Sequence, residues 1–74
     1  MITEEQFLHD FKDLLETDES INMEMDLLDI DAWNSFSAMA FLAMIDEKYG
    51  IKTEPFSVAE AVLVEDLYHL VNVS

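Results

Sequence analysis

Phe7, Leu8, Phe11, Leu14 and Leu15 recur at the spacing that places side chains on one arc of a helix, and Thr3-Glu4-Glu5-Gln6 ahead of them has the form of a capping box. A first helix is predicted over residues 4 to 16. From Thr17 to Asn34 no period holds and acids crowd in, with Ile21, Leu27, Leu28, Ile30 and Trp33 as scattered apolar anchors. A loop of this length in a small domain is expected to be pinned to the body or to be functional. Trp33 reads better as a packing anchor than as a contact for a partner.

A second helix is predicted from Ser35 to Tyr49, closed by Gly50 as a left-handed cap. At roughly 100° per residue, Ala38, Phe41, Leu42, Ile45 and Tyr49 share one arc, and Phe36, Met39, Ala40, Ala43 and Glu47 share the opposite one. The bulkier first arc is the better core. That leaves Phe36, Met39 and Ala43 as an apolar strip beside Ser35, the kind of surface that marks a binding face, unless the helix is central and buries both arcs. Past Pro55, Ser57-Val58-Ala59-Glu60 offers a second capping box and predicts a short helix over residues 57 to 62. Leu63, Leu67, Leu70 and Val71, flanked by Val64, form the apolar face of a last helix reaching Asn72, although Leu63 can supply no cap. The fold class is all-α: a small four-helix bundle of three longer helices and one short one, in a single domain over residues 1–74.

Composition narrows the chemistry. The 74 residues include no cysteine, so neither a disulfide nor a protein thiolate is available. No apolar run approaches the roughly 20 residues of a membrane span, and the first residues have no secretory pattern, so a cytoplasmic chain is expected. Three lysines and no arginine against 17 acids give a net charge of −14. Such a charge repels phosphate backbones and anionic membranes, which argues against nucleic-acid and membrane partners, and it draws basic protein surfaces from a distance. The same acids also keep a half-hydrophobic chain in solution, and a monomer is expected.

Little here can build an enzyme. His9 and His69 fall on polar helix sides and read as solvated residues, and no base or oxyanion partner accompanies Ser35. Asp26, Asp29 and Asp31 invite a calcium loop, but a frame starting at Asp29 puts Trp33 at the fifth position, Asn34 where glycine is required and Ala40 where the bidentate Glu belongs. No metal site is expected beyond loose divalent binding to an acidic surface, whose sign would be a melting temperature raised far more by calcium or magnesium than by equal ionic strength of sodium.

Ser35 stands where the acidic stretch meets the apolar one. A hydroxyl at the start of a helix is well placed to carry a phosphate, because the first N–H groups lack intrahelical partners and the aligned dipoles leave positive potential there. Ser20, Ser37, Ser57 and Ser74 lack that context. The run Asp31-Ala32-Trp33-Asn34-Ser35-Phe36 resembles the attachment site of the acyl carrier protein family, in which Asp-Ser-Leu opens the second helix. The resemblance extends to the amphipathic first helix, the long acidic loop, Met44-Ile45-Asp46-Glu47-Lys48-Tyr49-Gly50-Ile51 and Val64-Glu65-Asp66-Leu67, in family order and spacing. Asn34 in place of Asp and Leu63 in place of a common Thr are departures; Asn caps a helix about as well as Asp, so the first bears on recognition by a modifying enzyme rather than on the fold.

The resemblance implies a non-enzymatic carrier. A phosphopantetheinyl transferase, using coenzyme A and magnesium, would attach 4'-phosphopantetheine to Ser35, and the arm would hold an acyl or related unit as a thioester for fatty-acid, polyketide or other acyl-transfer biosynthesis. Asn34, Phe36, Met39, Ala43, Asp46 and Glu47 would form the surface read by the transferase and by acyl-loading and acyl-transfer enzymes with basic surfaces. Two other readings stay open: an interaction module of the same fold that is never modified, and a divalent-ion-responsive acidic protein, which the calcium or magnesium melt would distinguish.

Overall fold

The computed structural model describes residues 2–72 and is all-helical. Helix α1 spans Glu4–Leu15, a 3-10 turn spans Leu27–Asp29, and α2, α3 and α4 span Ser35–Tyr49, Pro55–Ala59 and Val64–Val71. Lengths of 12, 15, 5 and 8 residues give the expected three longer helices and one short.

Thr3 caps α1, its hydroxyl oxygen accepting from the Gln6 N–H at 3.1 Å. The reciprocal arm of the box is not made, because the Gln6 side chain donates instead to both oxygens of Asp10. The helix ends one residue earlier than predicted, with Glu16 in the left-handed region at φ 52° and the Thr17 N–H reaching the Lys12 carbonyl. A side chain at that angle is strained, and glycine is not. Glu16→Gly relieves a left-handed cost of about 1–2 kcal/mol against glycine's extra loss of backbone freedom of about 0.5–1 kcal/mol, so the melting temperature is expected to rise by a few degrees, and a lowered melt would refute the strain.

Helix α2 ends as predicted, at Gly50 with φ 68° and its N–H on the Asp46 carbonyl, while the Ile51 N–H reaches back to Ile45. Helix α3 begins earlier and ends sooner than the Ser57 box suggested. Pro55 occupies its first position, where a fixed φ and a missing N–H cost nothing, and Ser57 lies inside the first turn with its N–H on the Glu54 carbonyl.

Leu63 has no side-chain acceptor, and the start of α4 is satisfied from elsewhere. The Asp66 carboxylate accepts from the Val62 and Leu63 N–H groups, both at 3.0 Å, which holds its pKa below the usual value. The Val64 and Glu65 N–H groups donate to the carbonyls of Met25 and Met23. The long loop thus caps α4, and a further bond from the Leu27 N–H to Val62 fixes it there. The radius of gyration, 11.0 Å, is that of a chain whose loop lies against the body.

The core joins all four helices and the loop: Phe7, Phe11 and Leu15 from α1, Ile21, Leu27 and Ile30 from the loop, Phe41, Met44 and Ile45 from α2, Val58 from α3, and Val64, Leu67 and Val71 from α4. Leu28, expected to be an anchor, is 90% exposed. In the tight turn capped by Asp26, Leu27 faces inward and its neighbour cannot. No described helix is long and apolar enough to cross a membrane.

Candidate functional site

Asn34 sets the geometry of the start of α2. Its backbone is extended, and its side-chain oxygen accepts from the N–H groups of Phe36 at 2.9 Å and Ser37 at 3.1 Å. The Asn-for-Asp departure leaves the cap intact. It also means that two of the free N–H groups expected to face an anion are already occupied by Asn34. What remains to favour a phosphate is the positive end of the helix dipole and the access of the hydroxyl.

Access separates the two neighbouring serines. Ser35, first residue of α2, is exposed. The Ser37 hydroxyl is turned back, donating to the Ala32 carbonyl and lying near the Asn34 side chain. Ser20 is exposed but sits in the loop away from any helix start, Ser57 is half-buried, and Ser74 lies outside the described residues.

The surface named from the sequence is a continuous stripe. Phe36, Met39, Ala43, Asp46 and Glu47 fall at helical spacing down α2 from Ser35, and all are exposed, Phe36 at 85% and Met39 at 69%. The opposite face is inward, with Phe41 and Ile45 fully buried and Ala38, Leu42 and Tyr49 half-buried. Only one arc is buried. Met44, assigned to neither arc, is buried beside Phe41 and Ile45, which widens the inner face. Trp33 is half-buried and packs its ring 5.6 Å from Phe11 and 6.2 Å from Phe41. It therefore acts as an anchor that fixes the residues just before Ser35.

At the other end of α2 lies a polar cluster that the sequence reading passed over. Asp10, 4% exposed on α1, accepts hydrogen bonds from the Tyr49 hydroxyl, from Gln6 at 3.1 Å and from Lys48 at 3.3 Å. Burial acts to raise the Asp10 pKa, and the bonds from Tyr49, Gln6 and Lys48 with the lysine charge more than offset it, so the carboxyl sits below its ordinary 3.8. Burial and the neighbouring carboxylate push the Tyr49 hydroxyl well above its usual range, so it stays a donor at neutral pH. The Lys48 side chain is half exposed, and solvent screens its share.

A group whose folded pKa is depressed stabilises the fold above its unfolded pKa and loses that contribution as pH falls through the folded value. Asp10→Asn is therefore expected to melt below the parent at pH 7, by a difference that shrinks as pH falls below 3.8. Paired melts at pH 7 and pH 2.5 check this, and an equal gap at both would mean that the ionised carboxylate contributes nothing.

His9 and His69 are both exposed, and among the described residues no group of three or more His, Asp or Glu is placed to hold a metal ion. No family model, curated protein or solved structure matches this chain.

Proposed function

We propose that this protein is a carrier, modified on the Ser35 hydroxyl with 4'-phosphopantetheine, that presents an acyl or related unit to partner enzymes. The observation that carries the reading is the exposed Ser35 at the first position of α2, beside an exposed apolar stripe and next to a second serine whose hydroxyl is tied to the backbone. The resemblance of the surrounding residues to the acyl carrier proteins supports it.

The residues present fit a phosphodiester in access and in field, with the Asn34 cap keeping Ser35 at the helix end. When bound, the arm supplies the terminal thiol that a cysteine-free chain lacks, available for thioester chemistry. The chain itself does the rest. Asn34 and Trp33 hold the attachment point in a fixed position, and Phe36 and Met39 offer an apolar contact. Asp46 and Glu47 extend the stripe with negative charge, and a net charge of −14 raises the encounter rate with a basic surface. Tethering raises the effective concentration of the carried unit in a docked enzyme.

Incubation with coenzyme A, magnesium and a broad-specificity phosphopantetheinyl transferase is expected to add one phosphopantetheinyl group. A parent protein left unmodified by several transferases, including one from its own organism, would support the unmodified interaction module instead.

A further inference from the structure

The geometry points to a second docking surface, made by Leu28 and Val62 away from the α2 stripe, that takes a basic protein contact with an apolar centre. Leu28 is 90% exposed in the 3-10 turn, and Val62 is 56% exposed between α3 and α4. One exposed leucine alone would carry no information. These two residues are far apart in sequence, and the bond from the Leu27 N–H to the Val62 carbonyl at 2.9 Å brings them together. Followed along the backbone through that bond, their Cα atoms lie no more than about 11 Å apart. The adjoining residues pair in antiparallel fashion, Asp26 beside Leu63, with the Val64 N–H on the Met25 carbonyl at 3.0 Å. The two side chains therefore share a fixed base.

The turn itself holds Leu28 out. Its N–H donates to the Asp26 carboxylate at 2.9 Å, the Asp29 and Ile30 N–H groups donate to the Asp26 and Leu27 carbonyls, and Leu27 and Ile30 on either side are anchored in the core. Val62 is fixed in its turn by its N–H on the Asp66 carboxylate at 3.0 Å. Side chains presented on backbone that is already ordered lose less freedom when a partner covers them. Charge then selects the occupant. Asp26, Asp29 and Asp31 lie within three residues of Leu28, and Glu60, Glu65 and Asp66 within four of Val62, while no lysine occurs between Lys12 and Lys48 or after Lys52. An apolar centre among acids complements a basic protein surface, and it repels nucleic acid, anionic membrane and a second copy of this chain alike. The surface is the same whether or not Ser35 is modified.

The isotope-labelled protein should be titrated at physiological ionic strength with a short synthetic peptide of leucine and lysine, patterned to fold as a helix with one face of each. A peptide of the same composition, scrambled so that no apolar face forms, is the control. Amide NMR shifts map where each one binds. The patterned peptide is expected to move Leu28, Asp29, Val62 and Leu63 together as one saturating set, separate from any set along α2, and the scrambled peptide is expected not to. Leu28→Ser should weaken binding at that set by about tenfold and leave the α2 set unchanged. Its melting temperature should stay close to the parent's, since the side chain is already in water. Shifts confined to α2, equal movement of Leu28 by both peptides, or parent-like binding by Leu28→Ser would each overturn the proposal. So would shifts of Leu28 and Val62 that follow protein concentration without peptide, which would make this face a contact between copies. Failure of Ser35 modification in the separate transferase experiment would count against the carrier reading and leave this result standing.

Discussion

Phe41→Ala is expected to bring the bundle to the edge of unfolding, while Met39→Glu, two residues away on the same helix, is expected to melt close to the parent. Phe41 is fully buried and touches Phe7, Phe11 and Trp33, so truncation removes its burial and leaves a cavity among rings that cannot collapse to fill it. Losses of about 3–5 kcal/mol follow such changes. A core of this size rarely supplies more than about 3–5 kcal/mol in total. At about 4–8 °C per kcal/mol the melt should fall by tens of degrees.

Met39 is 69% exposed, and a carboxylate there remains in water. The change should cost within about half a kcal/mol. The same substitution places a charge in the middle of the apolar stripe, where partner contact would be concentrated, and should slow acyl loading of the modified protein by its cognate enzyme. Thermal melts of the parent and the two variants, with loading rates for parent and Met39→Glu, check both halves. A collapsed Met39→Glu melt would show the stripe to be core, and normal loading would remove it from docking.

Much of this division between faces was legible in the sequence, because α2 keeps its bulkiest residues on one arc and Gly50 marks where the arc stops. Met44 was missed because α2 is apolar nearly all round, so periodicity has little contrast to work with. Asp10 was missed for a different reason. A periodicity reading sends acids to solvent, yet position 10 lies three residues after Phe7 and next to Phe11, on the inward arc of α1. Tyr49 on the core arc of α2 was the signal that a buried acceptor was needed, and only the pairing of α1 with α2 shows which acceptor it is. At α3 two local signals competed, and the fixed backbone of Pro55 prevailed over the Ser57 box. The cap on α4 could not be read locally at all, since it comes from loop carbonyls some forty residues upstream and from Asp66 inside the helix.

The candidate site shows the same pattern. Ser35 stood out at a boundary between polar and apolar sequence, and its place at the start of α2 follows from the Asn34 cap. That Ser37 is tied to Ala32, and that Asn34 occupies two helix-end N–H groups, depend on side-chain directions that spacing alone does not specify.

The central claim is that the Ser35 hydroxyl is the single attachment point, and the second serine two residues on provides an internal control. Parent, Ser35→Ala and Ser37→Ala proteins should be incubated with coenzyme A, magnesium and a phosphopantetheinyl transferase and compared by intact mass. The account predicts one added phosphopantetheinyl group on the parent and on Ser37→Ala, and none on Ser35→Ala, with all three proteins showing helical circular dichroism. Modification of Ser35→Ala to the same extent as the parent would contradict it.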